Sequence, residues 1–381
     1  MSATVDKLIL RLEGFAESGQ EALLQDEVRD FTLEAITGVF FGDYATTELL
    51  DDVKGLLPVI TSGLFSLPVR FPWPLNKLPV LGFAASMDAR EAFKLIVLSV
   101  LEERRAEWTS TGGTSSGGKS AGILDSLIEI QQKQMGLEDG RQQCFDDDFI
   151  VDNVILSLFA GTDTTSVTLT RVLQLLATAD DGDDIVGKLR QELSNDASSD
   201  DDELDGSAGT SSSDASRAGI FAMFPLLDAV ILEAFRLHPT VPGVFRKARK
   251  DVSYNGYRIP SGSMINMNMI HGFRASSLYD EPKKFCPFRF LHDGKSKDDG
   301  SATSDSSSGV SLEQPPPPMF GVGRHTCPGR ELAKLEMLLF LKSFLTKFDY
   351  ELVGGQSFKG VLPANGPKDK LRVILRTKTA V

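Results

Sequence analysis

The stretch Met319–Leu332, MFGVGRHTCPGREL, decides the fold, and it contains one of only three cysteines in 381 residues. Gly321, Gly323 and Gly329 flank the thiol of Cys327, and such glycines mark backbone that bends sharply or is approached closely. A free cysteine is most often a small buried hydrophobe. The other interpretation is that the loop presents Cys327, which has no partner cysteine nearby, as the axial ligand of a metal.

The spacing around Cys327 favours the ligand interpretation. Phe320 lies seven positions before the cysteine, Gly323 four before, His325 two before and Gly329 two after. The run resembles the haem-binding loop of the cytochrome P-450 superfamily, the haem-thiolate monooxygenases, whose pattern is Phe-x-x-Gly-x-Arg-x-Cys-x-Gly. His325 stands where that pattern has arginine. The resemblance implies that Cys327 is the axial ligand of the iron of haem b. It places four further residues at the cofactor: Phe320, Gly323, His325 and Gly329.

A long helix is predicted from Phe149 to Ala179, apolar on most faces, as in helices that lie inside a large domain. Its middle, GTDTT at 161–165, is unusual because glycine, aspartate and threonine are poor residues for a helix interior. One interpretation is that the threonines bond back to carbonyl groups one turn earlier and only bend the helix. The other is a functional site, because local violations inside a strong helix often mark one.

The functional interpretation is supported by a resemblance to the family's central-helix signature, Ala/Gly-Gly-x-Asp/Glu-Thr-Thr, which aligns with Ala160–Thr165. The resemblance implies that the small residues Ala160 and Gly161 let haem and dioxygen approach the helix backbone. It also implies that Asp163 and Thr164 are the acid and alcohol pair that delivers protons to dioxygen. The thiolate on the opposite side of the haem favours cleavage of the O–O bond.

Two further motifs concern the scaffold around the predicted cofactor. Glu233 and Arg236, three apart in a predicted helix, share one face and can form an ion pair, although such a pair is usually of little energetic value at a surface. Their surroundings are apolar and resemble the family's Glu-x-x-Arg helix. FCPFRF at 285–290 resembles its Phe-x-Pro-Glu-Arg-Phe segment, with Phe288 in place of the acid. The resemblance implies that Glu233, Arg236 and Arg289 form a triad behind the haem.

The segment 251–268 alternates as strands around Asn255-Gly256, which is a strong signal for a tight hairpin turn. Arg246, five residues before Asp251, matches the family position whose guanidinium holds a haem propionate, and the fork of an arginine suits a carboxylate. The resemblance gives the second propionate to His325. The basic residues that follow Arg246 can instead be solvated surface charge.

Composition limits the other possibilities. A net charge of -13 argues against nucleic-acid binding, and part of that charge lies in the acidic segment 195–219. The three cysteines are odd in number and widely spaced, which favours neither a disulfide framework nor a zinc site. No long apolar run and no signal peptide is found at the start, so the chain as given is expected to have no transmembrane anchor.

The chain is predicted to be a single haem-thiolate monooxygenase domain over residues 1–381, with low-complexity inserts at 109–121, 195–219 and 292–314. The expected fold class is mainly α with small antiparallel β-sheets, the cytochrome P-450 fold. Compared with the family pattern, the membrane anchor, the first strands and the first helices are expected to be missing before Met1, as in a truncated product.

The resemblance implies insertion of one oxygen atom of dioxygen into a C–H bond of a lipophilic substrate, with electrons supplied from NADPH by a reductase partner. Residues 65–105 and 245–262 look most similar to the branch of sterol demethylases, retinoic-acid hydroxylases and plant steroid oxidases. That likeness favours a sterol, terpenoid or retinoid substrate. The full-length protein is expected on the cytosolic face of the endoplasmic reticulum membrane.

Two other functions remain open at this point. The first is a non-oxygenase of the same fold that rearranges hydroperoxides or endoperoxides as an isomerase or lyase, which Asp163 and Thr164 argue against. The second is a haem-binding or partner-binding remnant without catalysis, which the missing N-terminal part favours.

Overall fold

The computed structural model describes residues 1–64, 83–110, 122–135, 146–195, 223–291, 316–361 and 364–378. The three predicted low-complexity inserts lie outside these ranges, apart from residues 109, 110 and 195. Residues 65–82, which contribute to the likeness to the sterol and retinoid branch, also lie outside the described residues.

Most described residues are helical. The helices are α1 Ser2–Ser18, α2 Leu24–Phe41, α3 Thr47–Leu64, α4 Phe83–Ser110, α5 Ile123–Met135, α6 Asp147–Thr178, α7 Gly182–Asn195, α8 Pro225–Leu237, α9 Met269–Gly272 and α10 Arg330–Lys347. Short 3-10 turns cover Gly42–Tyr44, Pro287–Phe290 and Gly323–His325. Within the described ranges, no helix combines the length and the hydrophobicity that crossing a membrane requires.

The strands form small antiparallel sheets. They are β1 Ala22–Leu23, β2 Gly243–Lys247, β3 Val252–Tyr254, β4 Tyr257–Ile259, β5 Met264–Asn268, β6 Phe348–Leu352, β7 Gly360–Val361, β8 Gly366–Pro367 and β9 Arg372–Thr377. One sheet has the order β1-β9-β6, and the others are the pairs β2-β5, β3-β4 and β7-β8. The predicted fold class, mainly α with small antiparallel sheets, is confirmed.

The hairpin predicted at Asn255-Gly256 joins β3 to β4. Asn255 has a φ of 48° and Gly256 a φ of 80°, and a two-residue turn with both central residues at positive φ matches the twist of the flanking strands. Asparagine and glycine adopt that region most readily, which is why the pair could be recognised in the sequence.

The described residues form two compact units. The first unit consists chiefly of Arg29–Asp163, and the second of Thr4–Val28 with Thr164–Val381. In the first, α3 packs on α4, which buries Phe93, Val97 and Leu101 at a spacing of four residues. In the second, every residue of α6 from Thr165 to Leu176 is buried, as expected of a helix that is apolar on most faces. The single domain over residues 1–381 stays a prediction.

Candidate functional site

The loop before Cys327 is shaped by glycines and by backbone hydrogen bonds. Gly321 and Gly323 have φ angles of 72° and 66°, in the left-handed region that favours glycine. The Cys327 amide donates to the Phe320 carbonyl oxygen at 2.8 Å, and the Thr326 amide donates to the Gly323 oxygen at 3.1 Å. The loop therefore closes on itself through local contacts, and it holds Cys327 just before helix α10.

The side chains of this loop lie open. Cys327 is a free and exposed thiol, and Val322 is 74% exposed. His325 is exposed as well and ends the 3-10 turn, whereas Phe320 is half-buried. The loop thus presents a sulfur, an apolar side chain and a basic ring at the surface of the second unit.

Arg246 is an exposed residue of strand β2, opposite Ile265 of β5. Its Nη1 donates to the carbonyl oxygen of Phe245 at 2.9 Å. Because successive strand residues face opposite sides of a sheet, Arg246 presents its charge on one face of β2-β5 and Phe245 presents its ring on the other. The guanidinium can therefore receive a carboxylate on that face.

The predicted triad is assembled and buried. Glu233 and Arg236 form a two-pronged ion pair at 2.7 and 2.8 Å, and both side chains are fully buried. Arg289 Nε donates to Glu233 Oε1 at 3.2 Å, and the Cys286 amide donates to the same oxygen at 2.9 Å. The carboxylate of Glu233 therefore joins helix α8 to the turn Pro287–Phe290.

Every N–H group of the Arg236 guanidinium donates a hydrogen bond. Besides Glu233, it donates to the carbonyl oxygens of Phe273, Pro282 and Lys284 at 2.9, 2.7 and 3.2 Å. Its guanidinium carbon also lies 4.9 Å from the ring centroid of Tyr279. A buried charge is tolerated when it is paired and fully hydrogen-bonded, and this cluster meets both conditions.

Helix α6 stays helical through the GTDTT motif. Thr162 Oγ1 donates to the Leu158 oxygen at 2.6 Å, one turn earlier, as the structural interpretation of the threonines requires. Thr32 Oγ1 of α2 donates to the Thr162 oxygen at 3.1 Å, and a Cβ added at Gly161 would lie 3.2 Å from two carbons of Ile36. Gly161 and Thr162 therefore help α2 pack on α6, and the contact of Gly161 with haem stays a prediction.

Asp163, the predicted acid, is held by a basic residue from another helix. Arg29 Nε of α2 donates to Asp163 Oδ1 at 2.7 Å, and both side chains are partly buried. Sequence reasoning missed Arg29, because a single chain carries no signal for an ion pair between residues 134 positions apart. Leu156, Ala160 and Thr164 share one face of α6 by their spacing of four. On that face Leu156 is 61% exposed and Ala160 is exposed.

Glu336 of α10 is a buried acid whose environment the sequence did not reveal. Its Oε1 has no hydrogen-bond partner among the described residues, and the carboxyl is hydrogen-bonded to Thr165 of α6. Burial raises the pKa of Glu336 from 4.5 to about 8, and the hydrogen bond with Thr165 opposes part of that increase. At neutral pH the folded protein therefore holds this carboxyl chiefly in its protonated form.

Glu336→Gln is expected to stabilise the protein more at alkaline than at acidic pH. The protonated carboxyl of Glu336 makes a contribution to the free energy of unfolding that is fully present below the pKa of 4.5 in the unfolded chain. This contribution is lost as the pH rises through the folded-state pKa of about 8. Glutamine resembles the protonated acid at every pH, so urea unfolding should show a larger gain at pH 8.5 than at pH 5. Glu331→Gln, at an exposed acid of the same helix, is the control and should change little at either pH. An equal gain for Glu336→Gln at both values would contradict the raised pKa.

Comparison with known proteins identifies the family. The family model for cytochrome P-450 matches residues 1–372. The chain belongs to the cytochrome P-450 family. The resemblance inferred from the Cys327 loop is thereby confirmed.

Three similar proteins illustrate the relationship. Abscisic acid 8'-hydroxylase 2 of Arabidopsis thaliana is 30% identical over 87% of this chain and 58% of its own length. 2-hydroxyisoflavanone synthase of Glycine max is 29% identical over 91% of this chain and 61% of its own length. The structure of retinoic acid-bound cyanobacterial CYP120A1 is 25% identical with a TM-score of 0.66, over 99% of this chain and 76% of that one. This cytochrome P-450 chain therefore spans less than two thirds of the two curated relatives.

Membership of the cytochrome P-450 family implies a haem, and the Cys327 loop fits one. A thiol is a suitable axial ligand for haem iron, and the exposed Val322 beside it offers an apolar contact for a flat ring. A Cβ at Gly329 would lie 3.9 Å from Cys327 Sγ, an ordinary contact, so the described residues alone do not require glycine there. The contact of Gly329 with haem stays a prediction.

Proposed function

We propose that this chain is the haem-binding part of a monooxygenase that inserts one oxygen atom of dioxygen into a C–H bond of a lipophilic substrate. The proposal is carried by the Cys327 loop, an exposed thiol held in a glycine turn in a chain of the cytochrome P-450 family. When bound, haem b supplies the activation of dioxygen, and its thiolate ligand supplies electron density that favours O–O cleavage.

The residues of the loop and of strand β2 bind the cofactor in this proposal. Cys327 would bind the haem iron through its thiolate sulfur. Arg246 and His325, both exposed and basic, hold the two propionates, because a carboxylate accepts charge-assisted hydrogen bonds from such groups. The other proposed contacts of the cofactor are Phe320, Gly323, Gly329, Ala160 and Gly161. The triad of Glu233, Arg236 and Arg289 would steady the Cys327 loop.

Asp163 and Thr164 move protons in this proposal. Arg29 holds Asp163 Oδ1 at 2.7 Å, which orients the carboxylate. Thr164 follows directly in α6, and its hydroxyl group can accept a proton from one side while donating one from the other. The Asp163 carboxylate would take up a proton from solvent and pass it to the Thr164 hydroxyl group, which would give its own proton to dioxygen. Leu156 lies on the same face of α6 as Thr164 and contributes an apolar surface for a lipophilic substrate.

Turnover with NADPH and a reductase tests this assignment. Asp163→Asn and Thr164→Ala are expected to lower the rate of product formation by about 10²-fold or more, because positioned proton transfer contributes that much. The yield of product per NADPH consumed should fall with it, while haem content stays unchanged. Thr170→Ala is the matched control, since Thr170 is a buried threonine of α6 that bonds back to Ser166. A normal yield in both Asp163→Asn and Thr164→Ala would remove the pair from the mechanism.

The same assay separates the alternatives. Conversion of a hydroperoxide or endoperoxide without NADPH and reductase would identify an isomerase or lyase in place of a monooxygenase. A chain that binds haem but shows no turnover, alone or extended upstream, would be a non-catalytic remnant. The intact Asp163-Thr164 pair favours the monooxygenase, because an isomerase needs no proton delivery to dioxygen.

The substrate we favour is a sterol, terpenoid or retinoid. Two of the similar proteins are named for abscisic acid and retinoic acid, which are isoprenoid compounds, although the third is named for an isoflavanone. Screening should therefore begin with isoprenoid acids and alcohols and include a flavonoid. From the family resemblance we also place the full-length protein on the cytosolic face of the endoplasmic reticulum membrane, which fractionation of cells tests.

A further inference from the structure

A cavity of about 580 Å³ opens in the second unit, where the end of helix α6, the end of helix α8 and the segment 283–285 meet. Its volume lies in the range of sites that hold small molecules, roughly 300–1,000 Å³. The described residues that line it belong neither to the Cys327 loop nor to strand β2, and they do not include Asp163 or Thr164. The cavity is therefore separate from the residues proposed to bind haem and to move protons.

The inner wall of this cavity combines apolar side chains with one arginine. Leu175, Leu237 and Phe285 are buried and supply the apolar part. Arg274 follows helix α9 and is partly buried, and its Nη2 donates to the carbonyl oxygen of Leu237. Its Nε is buried without a hydrogen-bond partner among the described residues. A buried donor left unpaired is unusual in a folded protein and indicates a missing acceptor.

The surroundings of Arg274 are positive. A second arginine, Arg171, is 1% exposed and donates to neutral acceptors, the side chain of Gln174 and the carbonyl oxygens of Phe358 and Asn365. Burial, and then the charge of Arg274, lower the pKa of Arg171 to about 10. Burial, and then the charges of both arginines, lower the pKa of His238 to about 3, so this lining histidine is neutral.

The mouth of the cavity is close to neutral. Asp180, Asp181, Lys283 and Lys284 line it, and all four side chains are exposed, two acids against two bases. Lys284 Nζ also lies 3.9 Å from a carboxylate oxygen of Glu281. Solvent and salt screen charges in such positions. The positive charge that a ligand meets is therefore concentrated at the inner end, beside Arg274.

We propose that this cavity binds an organic carboxylate, whose charged end accepts a hydrogen bond from Arg274 and whose apolar body packs on Leu175, Leu237 and Phe285. A buried guanidinium is stabilised when it is paired and hydrogen-bonded, and a carboxylate provides both. The apolar wall favours a ligand with a hydrocarbon body over a compact anion such as phosphate. The inference does not depend on the proposed monooxygenase, because it is measured as binding at residues outside that site.

Calorimetric titration with 4-phenylbutyrate tests the proposal on the chain as purified, with or without haem. The matched probe 4-phenylbutanol keeps the apolar body and lacks the charge, and it should bind at least about tenfold more weakly because it makes no charge-assisted hydrogen bond. Inorganic phosphate carries charge without an apolar body and should also bind at least about tenfold more weakly. Bound 4-phenylbutyrate should raise the midpoint of thermal unfolding, since it binds only the folded chain.

Variants of the basic residues locate the charged end of the ligand. Arg274→Gln should weaken the binding of 4-phenylbutyrate at least about tenfold, whereas Arg274→Lys keeps the charge and should bind within about fivefold of the original chain. Lys283→Gln, at the screened mouth, should weaken binding by at most about fivefold. Lys359→Gln removes an exposed lysine outside the cavity and should have no effect.

A second pair of variants tests the cavity without touching a charge, which keeps the test valid if Arg274→Gln does not fold. Ala179 lines the cavity, so Ala179→Leu should fill part of it and abolish binding. Ala177→Leu, at an exposed alanine two residues earlier that is not among the lining residues, is the matched control and should bind normally. If the probe also shifts the Soret band of bound haem, Ala179→Leu should leave that shift unchanged.

Three results would overturn the proposal. The first is no binding of 4-phenylbutyrate at millimolar concentration. The second is binding of 4-phenylbutanol or inorganic phosphate as tight as that of the carboxylate, because the site would then not select an organic anion. The third is an unchanged affinity for 4-phenylbutyrate in both Arg274→Gln and Ala179→Leu, which would place its binding elsewhere on the chain.

Discussion

Replacing Cys327 by alanine should abolish the spectral signature of a thiolate-ligated haem. The reduced protein with carbon monoxide is expected to show a strongly red-shifted Soret band, and Cys327→Ala is expected to lose it completely. The physical reason is that the band depends on electron donation from the thiolate sulfur, which no other residue of the loop can replace. Because Cys327 is exposed, its removal should leave the fold and the helical circular dichroism unchanged.

The chain provides a matched control in Cys286. It is a free and half-buried cysteine, and it takes part in the triad through its backbone amide, which Cys286→Ala retains. This variant should keep the red-shifted band. Persistence of the band in Cys327→Ala, or its loss in Cys286→Ala alone, would assign the ligand to a different cysteine. Absence of any haem signal in the original chain would mean that the chain as given is an incomplete or degenerate enzyme.

Glu233→Gln should produce the largest loss of stability among the substitutions considered. The carboxylate is fully buried and neutralises Arg236 at 2.7 and 2.8 Å and Arg289 at 3.2 Å. Glutamine keeps the shape but removes the charge, so two arginines remain without their counterion. Removing one partner of a buried ion pair costs about 3–5 kcal/mol, and we expect a decrease of that size in the free energy of unfolding measured with urea.

The exposed pair of Glu351 and Arg376 is the control for this measurement. It has the same two-pronged geometry, at 2.7 and 3.1 Å, on the sheet formed by β6 and β9. Solvent screens that pair, so Glu351→Gln should cost at most about 1 kcal/mol. A loss for Glu233→Gln no larger than that for Glu351→Gln would show that burial does not strengthen the triad. In the proposed function the triad supports the Cys327 loop, so haem retention by Glu233→Gln is expected to fall as well.

Much of the architecture could be predicted because its causes are local. The hairpin at Asn255-Gly256 follows from two residues that adopt positive φ easily. Helix α6 was predicted from Phe149 to Ala179 and runs over Asp147–Thr178, because an apolar pattern of that length needs no distant partner to be recognised. The pair Glu233 and Arg236 follows from a spacing of three on a helix.

The sequence predicted which residues belong to the candidate site but not the contacts that they make in the fold. The spacing of the glycines around Cys327 indicated a loop that presents a thiol, and its backbone bonds are indeed local. The sequence did not indicate that Gly161 meets Ile36, so the structure adds a packing reason for a glycine predicted to serve the haem. Motif matching cannot distinguish these reasons, because both require the same small residue.

The sequence by itself determined the family, the helical class and the turn at Asn255-Gly256, since the motifs and patterns behind them depend on neighbours within a few residues. The role of the Cys327 thiol stays a prediction. Only the tertiary structure decided that Arg29 holds Asp163, that Glu336 lies buried against Thr165, and that Tyr254 and Tyr257 stay exposed. The physical reason is that burial and ion pairing depend on how distant segments pack. Packing brings together residues whose separation along the chain carries no periodic signal.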